Sequence, residues 1–442
     1  MRKRVVNKLT LRTKLGFGIG DLGGNLFFTI MGFYLLYFFT DVVGMLPALA
    51  GTALMIGKVW DAITDPITGY YSDRTKSRWG RRRPYMFIGA IISFFSMIMI
   101  FTPVAFTTQG RLFIYFSFVY CLLNTAYTLV NIPYAALLPE LTQNYNERTV
   151  LTGWRMSFAV IGTFFGAALV MPMVGAIGWP AMGTFMGAVM LLSALATIFA
   201  IREPKDPQIS LEDGFVKTFV EILKERIFLS ALLPWTFFIT GTSMVQGALV
   251  YYFAYLFGNE DLFQIALVAL LLFSLACIPL WVRISNKIGK KRSYMIGMSI
   301  MAVGVLAFSL LGQVFGPIFG IVMMGLCGIG LSTHYVMPHA ILPDIVEWDA
   351  SHKKRGRREG VYSSLWTFSS KLGQALALAL NGWILALVGY VATDVTDLAK
   401  LGIVLLCGPL PVLWYLAGLW IFKRYPIDRA FYEAMLGGKE AQ

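Results

Sequence analysis

The sequence predicts an all-α integral membrane protein of twelve transmembrane helices in two six-helix halves. Three observations carry the prediction. Of the 442 residues, 57% are hydrophobic and only 14% charged, with a mean hydropathy of +0.67. Soluble domains carry about a quarter charged residues. Basic residues sort into alternate loops between apolar runs. Two motifs then recur about 200 residues after their first appearance.

A bilayer-crossing helix needs about 20 mostly apolar residues. In chain order, runs of this kind fall at 15–40, 47–71, 85–103, 111–138, 154–176 and 180–201, and then at 228–257, 262–282, 294–313, 315–343, 361–390 and 401–422. The basic stretch Met1 to Lys14 precedes the first run with no small-residue cleavage site, so it reads as a retained cytoplasmic tail. The loops SDRTKSRWGRRR, VRISNKIGKKR, SHKKRGRR and KRYPIDR share one side with it. Loops on the other side, TDVVGMLP, GAIGWP, GNEDLFQ and GQVFGP, contain no Lys or Arg; Arg111 and Lys400 are isolated exceptions there. The positive-inside rule puts both termini in the cytoplasm, with the chain multi-pass in the inner (plasma) membrane.

Between the sixth and seventh runs lies the polar segment 202–226, expected to hold a short amphipathic helix at the cytoplasmic surface. GRRRPYMFIG (80–89) recurs as GKKRSYMIG (289–297), and NIPYAALLPEL (131–141) recurs more weakly as VMPHAILPDI (336–345). The chain therefore divides into an N-terminal half 1–201, a linker 202–226, a C-terminal half 227–425 and a cytoplasmic tail 426–442. Two parallel repeats of six helices are the layout of a secondary transporter.

The formal charge of +13 follows from the cytoplasmic loops and calls for no nucleic acid. Cys121, Cys277, Cys327 and Cys407 stand alone in apolar runs, with no CxxC pair. The three histidines, His334, His339 and His352, have no Cys or second His at a recognised ligand spacing. No segment can house a soluble catalytic domain, so no enzyme is expected.

The informative residues are the charges inside the spans, where each costs about 2.5–3.5 kcal/mol on insertion scales. Lys58, Asp61 and Asp65 are spaced i, i+3, i+7 and share one face of the second helix, with Thr64 and Thr68 flanking it. Pro66 donates no backbone hydrogen bond, which frees the carbonyl of Ala62. Two carboxylates, a hydroxyl and a free carbonyl suit a proton or a hard monovalent cation. The competing reading is a simple Lys58–Asp61 ion pair, which leaves Asp65 unexplained.

Other spans add polar stripes. The fourth carries Asn124, Thr128, Asn131 and Ala135, with Tyr127 beside them; the fifth opens with Trp154 and Arg155. The eleventh carries Ser364, Thr367, Lys371 and Gln374, with Trp366 on an adjacent face. Lys371 lies too deep for easy snorkelling. Asp21 and Asn25 share a face of the first span among glycines that permit close approach or local unwinding. A lone Asn serves equally as helix–helix glue, the competing reading for Asn124 and Asn381. Interior hydrogen bonding competes with proton transfer for His334 and His339.

GFGIGDLGGN, YFFTDVVG, KVWDAITDPITG, KSRWGRRRPY, NIPYAALLPELT, DIVEWD and RREGVYSSLWTFSSKLGQALA occur in that order along most of the chain. In them the sequence resembles the glycoside–pentoside–hexuronide:cation symporters of the major facilitator superfamily. The resemblance implies the major facilitator fold and symport of a sugar, glycoside or hexuronide with H⁺ or Na⁺ by alternating access. It implies a coupling site of Asp61, Thr64, Asp65 and Thr128, with Asp61 and Asp65 as metal ligands if the ion is Na⁺. It implies substrate contacts from Tyr127, Arg155, Tyr335, Trp366, Thr367 and Lys371. Where the family's melibiose carrier has sugar-binding aspartates, this chain has Asn25 and Asn131; its stacking Trp is Ala135, and its cation-site Asn is Thr64. Keeping Arg155 and Lys371 without those carboxylates suits a uronide, unless Asp21 restores the balance.

Asp73, Arg81 and Arg82 are the expected cytoplasmic gate, with topology setting as the alternative. The expected partners are a small-molecule sugar, a monovalent cation and the bilayer, for a monomer with no cofactor beyond the co-transported ion. The closest rival is a carrier of the same fold for a lysolipid.

Overall fold

The computed structural model describes residues 9–142, 145–201, 221–353 and 359–427, and among these every regular element is helical. Most of the linker expected to hold an amphipathic helix, the loop SHKKRGRR beyond its first residues, and the tail from 428 onward lie outside the described residues. The chain forms two compact units, Met1–Leu211 and Glu212–Gln442.

The first unit contains α1 (Leu11–Phe33), α2 (Leu35–Tyr37) running into a π-helical turn at Phe38–Val42, α3 (Pro47–Arg74), α4 (Arg83–Ile100), α5 (Gln109–Leu141), α6 (Tyr145–Ala168) and α7 (Val170–Ala200). Thr10 caps α1, its hydroxyl accepting from the Thr13 N–H, and Pro47 opens α3, where a missing N–H is harmless. The second unit contains α8 (Arg226–Tyr251), which also ends in a π-helical turn, then α9 (Asp261–Ile288), α10 (Lys290–Lys353), α11 (Glu359–Leu387), α12 (Asp397–Cys407) and α13 (Pro409–Phe422).

Two long helices are broken at glycine. In α7 the break is Gly178, φ 79°; in α10 it is Gly316, φ 81°. That conformation favours glycine, and a proline follows closely in both, Pro180 and Pro317. Both breaks fall at or near the boundary between two expected spans, while interruptions at Leu169 and Gly408 fall inside the expected spans 154–176 and 401–422. By length and composition alone, eight described helices could cross a membrane, or nine if Leu11–Phe33 and Leu35–Val42, bent by 50°, form one span. The helices α3 and α11 are long enough but too polar to be counted. They are the helices that carry Lys58, Asp61, Asp65 and Lys371.

Within the first unit, α1 packs on α6 and α7, α3 on α5, and α4 on α5 and α7. The glycines of α1 serve close approach: the chain stays helical through all of them, with Gly16 against Ala200 and Gly23 against Ser193. Local unwinding, the alternative reading of these glycines, does not occur; the bend comes later, at Tyr34.

Candidate coupling and substrate site

The register between α3 and α5 builds the acidic centre. Gly57 lies directly beneath the ring of buried Tyr120, where a Cβ would fall 2.0 Å from Cδ1. Nearby, the Trp60 indole donates to Thr125 Oγ1 at 2.8 Å. One turn further along, Thr128 faces both aspartates. Its Oγ1 lies 2.9 Å from Asp61 Oδ1 and 3.1 Å from Asp65 Oδ1. A hydroxyl has one proton, so it donates to one carboxylate at a time. Asp61 is fully buried and Asp65 half-buried.

Lys58 supplies the nearby positive charge. Its Nζ is 3.9 Å from Asp61 Oδ2, at the outer limit of an ion pair. The same ammonium sits 4.9 Å from the ring centre of Phe28 and 5.7 Å from that of Phe27, a cation–π setting that holds charge away from water. The simple ion pair considered from the sequence is thus present alongside the Thr128 bridge. Thr64 is turned back on its own helix, its hydroxyl donating to the Asp61 carbonyl at 3.2 Å. Among the described residues no cluster of three or more His, Cys, Asp or Glu side chains is placed to hold a metal ion.

Arg155 and Asp21 form the second charged centre. Arg155 Nε donates to Asp21 Oδ2 at 3.1 Å and Nη2 to Oδ1 at 3.2 Å, a two-point contact matched to guanidinium geometry. The Tyr134 ring lies 5.3 Å from the guanidinium carbon. Because α6 begins at Tyr145, Arg155 lies well inside the helix rather than at its opening. Tyr127 is buried, stacked on Phe27 at 4.6 Å and edge-on to Phe28 at 5.0 Å. Asn25 donates to the Asp21 carbonyl at 2.9 Å. Asn131, Tyr127, Tyr134, Gly20 and Gly24 line a crevice beside the pair.

The second unit holds the other expected contacts. Lys371 and Trp366 are buried, Thr367 is exposed, and Tyr335 is half-exposed. Trp366 stacks on Trp235 at 5.3 Å, and Trp235 stacks on His334 at 4.3 Å. Trp235 was not singled out from the sequence, where a lone Trp in an apolar run reads as lipid-facing. The aromatic surroundings of Lys58 went unread for the same reason.

In the basic motif between α3 and α4, Arg82 Nη2 pairs with Asp73 Oδ1 at 2.9 Å, and Arg81 Nη1 donates to the Asp73 carbonyl at 3.4 Å. The repeated motif also makes an ion pair, Lys290 Nζ to Asp344 Oδ2 at 2.6 Å.

The chain is similar to known transport proteins. An uncharacterized symporter of Synechocystis sp. is 30% identical, over 96% of this chain and 95% of its own length. A glucuronide carrier protein homolog of Escherichia coli is 27% identical, over 97% and 95%. The crystal structure of the nucleoside transporter NupG superposes with a TM-score of 0.68 at 15% identity, covering 93% of this chain and 98% of that one. That likeness bears on the fold alone. A family model described as MFS/sugar transport protein matches residues 16–429. With paired charges buried on the helices too polar to pass as ordinary spans, and a match along almost its whole length, the chain belongs to the MFS/sugar transport protein family, a family of membrane carriers and not of enzymes.

Proposed function

We propose that this chain is a cation-coupled sugar symporter in which Asp61 and Asp65 bind the coupling ion, H⁺ or Na⁺. The observation that carries the reading is the Thr128 hydroxyl between the two carboxylates. With only Lys58 to offset them, two carboxylates sharing one neutral donor leave a net negative charge in a low-dielectric setting, which a proton or cation neutralises. Binding of the ion removes that penalty, and the loaded carrier then changes state by alternating access. Thr64 flanks this coupling set.

The substrate set is Asp21, Asn25, Tyr127, Asn131, Arg155, Tyr335, Trp366, Thr367 and Lys371, with aromatic faces for stacking and amides for sugar hydroxyls. The Asp21 carboxylate already answers the Arg155 charge, which favours a neutral glycoside over a uronide. The carrier acts as a monomer in the inner membrane with both termini cytoplasmic, and Asp73, Arg81 and Arg82 gate the cytoplasmic side.

Uptake into proteoliposomes, with a panel of glycosides and uronides under separate Na⁺ and H⁺ gradients, tests the reading. Gradient-driven uptake of a sugar is expected in the wild type and is lost in Asp61→Asn and Asp65→Asn. Coupled uptake persisting in both variants would sink the coupling assignment. Movement of a lysolipid with no sugar transported would replace the substrate class.

A further inference from the structure

One buried amide oxygen beside the acidic centre accepts no hydrogen bond. Asn124 is fully buried on α5, one turn from Tyr120 on one side and from Thr128 on the other. Its Nδ2 donates to the Tyr120 carbonyl at 2.9 Å. A carbonyl accepts, so the atom facing it is the amide nitrogen and the other terminal atom is oxygen. That oxygen, Oδ1, has no hydrogen-bond partner.

Helix–helix glue does not explain this side chain. Buried Asn381 does act as glue, donating across helices to the Met244 carbonyl at 3.0 Å. The Asn381 oxygen is unpartnered as well, but its amide ties two helices together, whereas Asn124 donates only to its own helix and ties nothing across. The α3–α5 register shows where that residue stands. Gly57 meets Tyr120, Asp65 meets Thr128 and Gly69 meets Ile132, each pair 63 residues apart. The same separation sets Asn124 opposite Asp61.

Resting on the coupling site proposed above, we propose that Asn124 Oδ1 is a ligand of the coupling cation and makes that cation Na⁺. The set then holds carboxylate oxygens from Asp61 and Asp65, the lone pairs of Thr128 and a neutral amide oxygen. All-oxygen sets suit hard cations. A proton needs only a carboxylate, and an amide oxygen is too weak a base to share it. An unmet amide oxygen at this place therefore serves a metal cation and adds nothing to proton coupling.

Na⁺ alone is the probe. The purified full-length carrier is titrated with NaCl at constant ionic strength, choline replacing Na⁺, and its thermal unfolding midpoint is followed. The wild type is expected to show a saturable rise with Na⁺ and none with choline. Asn124→Leu is expected to need about tenfold more Na⁺ or beyond while keeping the choline midpoint. Asn124→Asp, which restores an oxygen, is expected to respond within tenfold of the wild type. If Asn124→Leu does not fold, Asn124→Ala takes its place with the same expectation. A variant lacking the amide that titrates like the wild type overturns the inference, and so does a wild type indifferent to Na⁺. Neither result touches the coupling role of Asp61 and Asp65, which falls only if Asp61→Asn and Asp65→Asn both keep gradient-driven uptake.

Discussion

Arg155 holds Asp21 through two hydrogen bonds of 3.1 and 3.2 Å, although the residues are 134 positions apart. The Asp21 carboxylate is almost fully buried and the Arg155 guanidinium about three-quarters buried. A carboxylate inside a membrane protein stays ionised at low cost only beside such a partner. The pair fixes the packing of α1 on α6, and it also cancels the positive charge that an acidic sugar would otherwise seek.

Replacing Asp21 by Asn should release that charge. Removing one member of a buried pair costs about 3–5 kcal/mol, and the partial exposure of Arg155 puts this pair at the lower end. Asp21→Asn is expected to lower the thermal midpoint, weaken uptake of a neutral glycoside and make the carrier sensitive to inhibition by a uronide. Competition of an unlabelled uronide against a labelled glycoside measures the change. Unchanged selectivity would mean that the pair serves packing alone.

Lys58 invites a test of opposite sign. Its ammonium lies 3.9 Å from Asp61, where it would share the site with the coupling ion proposed for the carboxylates. Lys58→Met keeps an apolar stem between Phe27 and Phe28 and removes the competing charge. One charge at this depth corresponds to about 1.4 kcal/mol or more, a tenfold change in affinity. The concentration of coupling ion giving half-maximal uptake is therefore expected to fall roughly tenfold. A rise would show that Lys58 mainly holds Asp61 in place.

Gly57 should be intolerant of even one methyl group. A Cβ there would stand 2.0 Å from Tyr120 Cδ1 and 2.5 Å from Cε1, and the Tyr120 ring is fully buried. Overpacking of this kind costs about 1–3 kcal/mol. Gly57→Ala is expected to lower the midpoint of thermal unfolding and weaken cation binding together, because both depend on the α3–α5 register. Adding Tyr120→Leu should recover part of the stability, as judged from the unfolding midpoints of the single and double variants.

The α3 face was legible because helix geometry turns the spacing of Lys58, Asp61 and Asp65 directly into a shared direction. Alternating loop charge and the repeated GRRRPY and GKKRSY motifs likewise made the layout readable. The contact from Thr128 to both aspartates came only through resemblance, since no periodicity links residues more than 60 positions apart. The Arg155–Asp21 clasp is non-local in the same way. Arg155 reads from the sequence as opening its span because the polar stretch before Val150 reads as loop, yet the helix already runs from Tyr145. Trp235 gave no signal at all: stacking against His334 and Trp366 is a property of packing, invisible in an apolar run.

The Asp73–Arg82 pair is predicted to affect rate more than stability. Asp73 is nearly half-exposed, and exposed pairs contribute about 0–1 kcal/mol, so Asp73→Asn should scarcely move the unfolding midpoint. A latch that forms in one transport state and opens in the other changes the balance between states even at that strength. Initial uptake rates in proteoliposomes should therefore fall several-fold in Asp73→Asn and in Arg82→Gln, with the half-saturating sugar concentration changed less. The exchange Asp73→Arg with Arg82→Asp should restore part of the rate, because the same ion pair can form in reverse. If both single variants transport at the wild-type rate, the motif sets topology and nothing more.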